Sequence, residues 1–411
     1  MKLFQKLLIA PAALGLLAPL SASASEVTMN DFAAAEELAV SSKRIEGLEA
    51  KINNFEAGSF SETTTMSGSA SFQIGAVNES AITEAVTATY SYDVDLNTSF
   101  TGDDNLYVGI ETGNYTTSVD FTLDSSGGGG NTLSVTSMYY QFPLGNYQFA
   151  VGPSLDSDDL MPTTTSTYSD SFFFGSQYGL ASNYFTSQGT GAGVAVSRTF
   201  DNGWNTSGSV IATDTTGILT KEGIDILTLS LGYDADNYGG GIVYQKSESL
   251  CTLAGNFATD LCNDFAITTL LDEGYNSTTF GAYYSPGEKT TLSVTSSVTD
   301  ATVSGTTVDT IADFQFAVDR ELGDGTLSAS WKTFPFYKVP DLNGTLIRGD
   351  DLGSFLEIYY TYKINDSITI TPGVAFAMPA TDANSIAAGS DDLAFYLYDR
   401  TAIGVGATFN F

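Results

Sequence analysis

Four carboxylates in the stretch 153–190 are the side chains whose type and spacing could do chemistry. Asp156, Asp158, Asp159 and Asp170 lie in this stretch, which is the longest predicted connection between strands. Carboxylates gathered around a narrow aqueous passage favour cations. We expect the stretch to fold into such a passage as a constriction, and the alternative is an exposed loop whose acids are only solvated. Its aromatic residues, which would pack the constriction against a wall, are Phe172, Phe173, Phe174 and Tyr178.

A second group of charged residues alternates with apolar neighbours along predicted strands, which places the two kinds of residue on opposite faces. The group consists of Asp93, Asp95, Asp313, Lys332, Glu357 and Lys363. We interpret these as charges that face the lumen of a barrel, and the alternative is that they form ion pairs in the wall without setting selectivity. Arg198 shares the parity of Val194 and Val196, so it either reaches the rim from the apolar face or the register differs there.

Cysteine and histidine usage limits the chemistry further. Cys251 and Cys262 fall in one predicted external loop, and an even number of cysteines in an exported chain favours a disulfide between them. The alternative is two free thiols. The absence of histidine excludes Ser-His-Asp and Cys-His triads and histidine zinc sites. We predict no catalytic residue, no metal site and no cofactor.

The composition is that of an acidic, strand-forming chain. Its 411 residues carry 15 Lys+Arg against 48 Asp+Glu, for a formal net charge of −33. Because nucleic acid requires a cationic footprint, that class of partner is excluded. Only 15% of the residues are charged, against about a quarter in soluble proteins. The abundance of Gly, Tyr, Phe, Thr and Ser favours strands over helices.

Residues 1–24 have the organisation of a signal peptide. Lys2 and Lys6 precede an apolar stretch over 7–20, and small residues follow it up to Ala24. A membrane anchor is the alternative, but the stretch is short and contains two prolines. We therefore expect export, with cleavage after Ala24.

Residues 25–57 contain the only convincing helical pattern. Its heptad positions are Leu38, Ile45, Leu48, Ile52 and Phe55. So few heptads do not make a stable coiled coil on their own. Two interpretations stay open: a short amphipathic periplasmic helix on the neighbouring domain, or a short coiled coil that helps the chain to trimerise.

From residue 58 to the end of the chain, apolar and polar residues alternate with a period of two. Phe72 and Ile74 alternate with Ser and Gln, and the last stretch ends on Phe409 and Phe411. A soluble sandwich has the same alternation. A transmembrane barrel adds aromatic residues at the strand ends, and Tyr and Phe do cluster at the predicted ends.

Counting connections predicts the architecture. Short turn signals lie at 98–104, 143–146, 201–203, 234–237, 285–288, 320–325 and 364–366, and longer connections lie near 77–83, 112–130, 153–190, 214–223, 247–276, 299–309, 335–352 and 378–400. Fifteen connections join 16 antiparallel strands, and 14 or 18 stay open because one assignment depends on parity. An even strand number with short turns on one rim is typical of bacterial outer-membrane barrels. A barrel of this size encloses an aqueous lumen.

Several short motifs along the chain resemble those of a known protein family. They are LEA at 48–50, FEA at 55–57, FSxTTxMSG at 60–68, LNTSFTGDD at 96–104, YxFPL at 140–144 and DDLxP at 158–162. The chain resembles the cyanobacterial iron uptake porin family, which is related to carbohydrate-selective porins. The resemblance implies a barrel that passes inorganic ions, including iron species. The family usually carries an S-layer-homology domain before the helix, and the short stretch after Ala24 has no room for one, so we do not expect contact with peptidoglycan.

The sequence therefore predicts an all-β protein, a 16-stranded antiparallel transmembrane barrel over 58–411 preceded by a short helix. The expected function is that of an outer-membrane porin, not an enzyme, which lets small hydrophilic solutes and inorganic ions diffuse through a lumen narrowed by 153–190. The expected partners are outer-membrane lipid, two further copies in a homotrimer, and the barrel assembly machinery, to which Phe409 and Phe411 would present a terminal aromatic signal. The rival interpretation is a secreted or surface-attached acidic β-rich adhesin, which predicts a short fixed repeat that we do not find.

Overall fold

A computed structural model of the chain describes residues 63–77, 86–114, 130–168, 189–213, 225–248, 274–303, 306–307, 311–334, 339–340, 346–347, 353–378 and 400–411. The chain divides into two compact units, 1–57 and 58–411, and all described residues belong to the second. The predicted signal peptide, the helix with its heptad residues, Asp170 and both cysteines lie outside the described residues.

The described residues form strands and turns. In chain order the strands are β1 Thr64–Val77, β2 Val86–Thr98, β3 Asn105–Gly113, β4 Ser134–Leu144, β5 Tyr147–Asp156, β6 Thr190–Thr199, β7 Trp204–Ala212, β8 Asp225–Asp234, β9 Tyr238–Ser247, β10 Tyr275–Gly287, β11 Thr290–Val303, β12 Thr306–Thr307, β13 Ile311–Leu322, β14 Gly325–Phe334, β15 Val339–Pro340, β16 Leu346–Ile347, β17 Gly353–Asn365, β18 Ile368–Met378 and β19 Arg400–Asn410. No helix in the part of the chain covered by these ranges is long and apolar enough to span a membrane.

Sixteen of these strands close into an antiparallel barrel, as predicted. Every long strand pairs with its neighbours in the chain, and β1 pairs with both β2 and β19, which leaves the ring without a free edge. At the closure Phe72 lies opposite Ala407. The terminal residue adds two backbone hydrogen bonds, since the N–H of Phe411 donates to Gly68 O and the N–H of Gly68 donates to Phe411 O, each at 3.0 Å. The two-residue strands lie outside this ring: β12 extends from β11, and β15 pairs with β16.

The seven predicted short turns all join consecutive strands, from β2–β3 to β17–β18. Because antiparallel strands alternate in direction, these turns share one end of the barrel, here called the short-turn rim, and the longer connections share the other. The β2–β3 turn shows how such a turn is held. One carboxylate oxygen of Asp104 accepts hydrogen bonds from the N–H groups of Phe100 and Thr101, at 2.9 and 2.7 Å, and the other accepts one from the hydroxyl of Tyr140 at 2.6 Å. The hydrogen bond from Tyr140, together with those from the turn, holds the pKa of Asp104 well below its usual range.

The alternation along each strand separates two faces. On the outer face Phe72 is 55% exposed and Ile403 63%, whereas the neighbouring Ser71 and Gln73 on the inner face are 4% and 6% exposed. Most apolar side chains therefore point away from the barrel axis, and hydroxyl and amide side chains point towards it, apart from an apolar cluster on the inner face of β4–β7. This is the reverse of a soluble core and is the arrangement of a barrel in lipid.

Three pairs of adjacent tyrosines place only one ring of each pair on the outer face. The pairs are Tyr139-Tyr140, Tyr283-Tyr284 and Tyr359-Tyr360. In each pair the first ring faces inward: Tyr139 and Tyr359 are buried, and the Tyr283 hydroxyl donates to Asp234 Oδ1 at 2.8 Å. Because side chains alternate with a period of two, adjacent residues cannot share a face.

Candidate pore lining

The residues that follow β5 turn into the barrel. We call residues 157–168 the inward segment. Its first residue is tied to the wall, since the Ser209 hydroxyl donates to Ser157 O at 2.7 Å and the Gln245 amide donates to Ser157 Oγ at 3.2 Å. Leu160 then packs into an apolar cluster on the inner face of β4–β7. The other members of that cluster are Tyr139, Ala150, Leu155, Ala195 and Ile211, with Tyr107 packed against it.

The middle of the inward segment lies against a row of glycines. Gly232, Gly241 and Gly281 are paired in register across β8, β9 and β10 and face inward. A Cβ atom on Gly241 would collide with the Thr163 side chain, and one on Gly281 would collide with the Thr165 carbonyl oxygen. The absence of side chains therefore lets the segment approach the wall closely. Sequence reasoning missed these glycines, although inward parity on three consecutive strands is a signal that could have found them.

Hydroxyl contacts hold the inward segment against this row of glycines. Thr163 Oγ1 lies 2.8 Å from Asn205 Oδ1 and 2.7 Å from Ser230 Oγ. Further along, Thr167 Oγ1 lies 3.1 Å from Ser293 Oγ on β11. The segment thus crosses the inner faces of β7 to β11 with buried hydrogen bonds, so it is part of the interior and not an exposed loop.

The described part of the segment ends on the opposite side, at β17. The hydroxyl of Tyr168 donates to Glu357 in a short hydrogen bond, and its ring lies 6.0 Å from that of Tyr359. Tyr168 is 7% exposed and Glu357 0%. The two ends of residues 157–168 are therefore attached to opposite parts of the ring.

Five acids lie along the inner side of β2–β5, and we call them the acidic strip: Asp93, Asp95, Asp156, Asp158 and Asp159. Asp93 accepts hydrogen bonds from Ser69 and Ser91 at 3.2 and 3.4 Å. Asp95 accepts one from the hydroxyl of Tyr107 at 2.6 Å.

Two tyrosines continue the strip towards the inward segment. The ring of Tyr107 lies 5.1 Å from that of Tyr139, which is hydrogen-bonded to Asp159. Two tyrosine hydroxyls and the contact between their rings thus connect Asp95 of the wall to Asp159 of the inward segment.

Three carboxylates, Asp156, Asp158 and Asp159, lie where β5 ends and the inward segment begins. Asp156 accepts a short hydrogen bond from Thr190 and a long one, 3.5 Å, from Ser137, and its N–H donates to Asp159 Oδ2 at 2.7 Å. Burial raises the pKa of Asp158 to about 6, and the negative charge of Asp156 adds to the effect. Burial also raises the pKa of Asp159 to about 6, although the hydrogen bond from the Asp156 N–H opposes the rise.

The remaining predicted lumen charges do not join the strip. Lys332 faces inward from β14, where it is 1% exposed and its Nζ has no hydrogen-bond partner in the described part of the chain. Glu357 faces inward from β17 but lies under Tyr168. Lys363 is exposed near the short-turn end of β17, and Asp313 lies in β13 opposite Ser297.

Arg198 resolves the two possibilities left by the sequence. The register is continuous from Ala192 to Thr199, so the side chain is on the outer face, at the short-turn rim. It is held there by two aromatic rings, Tyr147 and Phe200.

The described residues contain no group of three or more Asp, Glu, Cys or His side chains that could hold a metal ion, and this holds for the acidic strip as well.

Comparison with known proteins identifies the class of fold. No family profile and no curated protein matches the sequence. Among solved structures, an anion-selective porin from Comamonas acidovorans has a TM-score of 0.56 at 13% identity, covering 85% of this chain and 99% of its own. The trimer form of OmpT, an outer-membrane protein of Vibrio cholerae, has a TM-score of 0.54 at 12% identity over 85% and 99% of the two chains. An engineered porin from Rh. blastica has a TM-score of 0.50 at 12% identity over 85% and 100%.

These proteins share an architecture with this chain, which has the fold of a 16-stranded bacterial outer-membrane porin. At such low identity the likeness concerns the fold alone. A closed barrel also does not favour the adhesin interpretation, because an adhesin of stacked repeats would leave an open sheet edge.

Proposed function

We propose that this protein is an outer-membrane porin, not an enzyme, and that it lets small hydrophilic solutes and inorganic ions diffuse passively through its barrel. The observation that carries the proposal is the position of the inward segment inside a closed barrel whose inner face is polar. A segment held across a polar lumen narrows it, and a narrowed aqueous lumen is a size filter. The apolar outer face supports a location in lipid.

The acidic strip supports a preference for cations. Asp93, Asp95 and Asp156 receive their hydrogen bonds from hydroxyl groups, which leave the negative charge in place. The Comamonas acidovorans porin is described as anion-selective, but charge preference depends on the lining residues and not on the shared fold. Iron species, which the family resemblance implies, would belong to this class of cation.

Two further parts of the proposal concern assembly. The homotrimer is supported by the trimer form of OmpT, and the predicted helix over 25–57 would contribute to it. Recognition by the barrel assembly machinery would involve the last strand, where the rings of Phe72 and Phe409 lie 5.8 Å apart and those of Tyr92 and Phe411 lie 5.7 Å apart.

Single-channel recording in planar bilayers tests the proposal. We expect discrete conductance steps in salt solution, and a reversal potential of cation-selective sign in a salt gradient. Folded protein that inserts without any steps would overturn the porin function and leave the barrel a structural role. Steps with anion-selective reversal would retain the porin but refute the role of the acidic strip.

A further inference from the structure

An apolar groove runs over the outer face of β8–β13. It has a volume of 670 Å³, and glycine and small residues form its floor. In register, Gly240 lies opposite Ala282, and these two small residues sit beside the larger Ile242 and Phe280. Ile242 and Phe280 are each 46% exposed, so they form a ridge along the groove.

The groove follows one register row from the rim into the apolar band. Leu231, Ile242, Phe280, Ser296 and Phe314 are successive partners across β8, β9, β10, β11 and β13. Leu231 lies three residues before Asp234 at the short-turn end of its strand, whereas Phe314 lies eight residues before Leu322 at the corresponding end. At about 3.3 Å per residue the row rises by roughly 16 Å. This is about half of a hydrocarbon core of about 30 Å, which is the depth of one lipid leaflet.

The guanidinium of Arg198 lies near the end of this row that is closest to the short-turn rim. Arg198, Thr206 and Leu231 are register partners on β6, β7 and β8, which places Arg198 two strand spacings, or about 10 Å, from the groove. Trp204 and Tyr233, whose rings lie 5.3 Å apart, line the mouth of the groove.

The Arg198 side chain is pre-positioned. Its Cζ lies 4.3 Å from the centroid of the Phe200 ring and 5.1 Å from that of Tyr147, and its Nη1 donates to the Tyr147 hydroxyl at 3.3 Å. Stacking on aromatic rings leaves most of its five N–H donors for an external acceptor. Among the residues that the structure describes, no carboxylate forms an ion pair with it. A planar guanidinium in this state is suited to bidentate binding of phosphate.

We propose that Arg198 and the groove over β8–β13 form a specific site for one phospholipid, with the headgroup phosphate on Arg198 and an acyl chain along the groove. The proposal rests on the proposed membrane location. Charge complementarity selects the occupant: a second copy of the barrel would bring apolar side chains to the groove but would have no need for a cation at its mouth, whereas a phospholipid needs both.

Native mass spectrometry of the full chain, delipidated in detergent and titrated with phosphatidylglycerol, tests the site. We expect one adduct per barrel to bind with higher affinity than the rest. Arg198→Gln should weaken that adduct by about tenfold, because it removes a charge-assisted hydrogen bond. The matched control is Arg320→Gln, which changes an exposed rim arginine on β13 and should leave the adduct unchanged.

A second pair of variants tests the groove. Ala282→Leu fills its floor and should weaken the same adduct, whereas Ala407→Leu makes the same change on the outer face of β19 and should not. Diacylglycerol with the same chains should bind about tenfold more weakly than phosphatidylglycerol. Glycerol phosphate should not compete, because it lacks the acyl chain.

Three results would overturn the site: equal losses in the two arginine variants, an adduct unaffected by Ala282→Leu, or a change of oligomeric state in Ala282→Leu with lipid binding unchanged. The last result would assign the groove to a second copy. Conductance of the unaltered protein, recorded in parallel, separates the two proposals. Conductance without the lipid adduct overturns only the site, and the absence of conductance overturns the porin function.

Discussion

The inner face of the barrel has two unlike walls. On β2–β5 the acidic strip holds half-buried carboxylates, whose partners include Ser and Tyr hydroxyls. On β7–β11 the wall carries mainly neutral side chains, with the Asp234 carboxylate at its short-turn end, and it is covered by the inward segment, so that Thr279 and Gln245 are 0% exposed. Both walls have the same alternation of apolar and polar residues. Their difference shows that alternation decides which residues face inward, whereas glycine and acid placement decides which inward residues meet the solvent.

Glycine produces the covered wall. A second row of inward glycines, Gly75, Gly404 and Gly373, is paired across β1, β19 and β18. None of the hydrogen bonds described for residues 157–168 reaches this row. An inward glycine row therefore permits the close approach of the segment but does not by itself bring the segment there.

The largest expected effect comes from pushing the segment off the covered wall. Gly281→Val places a branched side chain where the Thr165 carbonyl lies, so the segment must move inward or detach. We expect single-channel conductance to change severalfold. Gly208→Val is the control, since Gly208 lies on the outer face of β7, where the nearest atom to an added Cβ is Leu229 Cδ2 at 3.2 Å. Unchanged conductance in a Gly281→Val barrel that still shows heat-modifiable mobility on gels would mean that the covered wall does not limit the current.

The second prediction removes the charge of the other wall. Replacing Asp156, Asp158 and Asp159 together by Asn keeps shape and removes three carboxylates. We expect the reversal potential in a salt gradient to move towards zero, with conductance changed less than selectivity. The control replaces three exposed acids of the short turns, Asp103, Asp201 and Asp236, by Asn. Equal shifts in the two variants would show that selectivity is a property of total charge and not of the acidic strip.

A third prediction uses pH to weaken the acidic strip without mutation. Because the pKa values of Asp158 and Asp159 are raised to about 6, both are ionised at pH 7.5 and protonated at pH 5. Cation preference should therefore fall as the pH falls, with a midpoint near 6. A preference that is flat between pH 5 and 7.5 would contradict the proposed role, and Asp158→Asn with Asp159→Asn should flatten it.

The same two carboxyl groups, Asp158 and Asp159, make the free energy of unfolding depend on pH in the opposite direction from cation preference. A pKa that is higher in the folded than in the unfolded chain means that the folded state binds more protons between about 4 and 6. Their contribution to the free energy of unfolding is therefore present below pH 4 and is lost as the pH rises through 6. Function and stability should thus respond to the same titration with opposite signs.

The strand number and the connections could be predicted from the sequence because each depends on local chemistry. Gly102 and Gly145 have positive φ values of 98° and 64° in two of the predicted short turns. Such turns can be recognised in a sequence by their Gly, Asn, Asp and Pro residues. The inward direction of Asp93 and Asp95 follows from alternation in the same way. The turns and the inward directions need no long-range information, whereas the strand number also depended on parity, which is a property of the whole barrel.

The contacts of the candidate site could not be predicted, because they join residues far apart in the chain. Thr163 reaches Ser230, and Tyr168 reaches Glu357, at separations of 67 and 189 residues. Lys332 was predicted as a lumen charge from its parity, but parity does not report whether another segment covers the residue. The family motif at 158–162 includes Leu160, whose position in the apolar cluster only the fold reveals.

The smallest effect is expected at the far end of the inward segment. Tyr168→Phe keeps the ring beside Tyr359 but removes the hydroxyl that donates to Glu357. A single lost hydrogen bond to a buried carboxylate costs about 1–3 kcal/mol, which is enough to increase transient opening of the segment without displacing it. We expect unchanged mean selectivity and more frequent brief conductance fluctuations in single-channel records. Tyr362→Phe alters an exposed ring on the outer face of β17, the strand of Glu357, and should not increase the frequency of these fluctuations. Equally frequent fluctuations in the two variants would show that they do not depend on the Tyr168–Glu357 hydrogen bond. The inward segment would then be held in place by the glycine row and the Thr contacts alone.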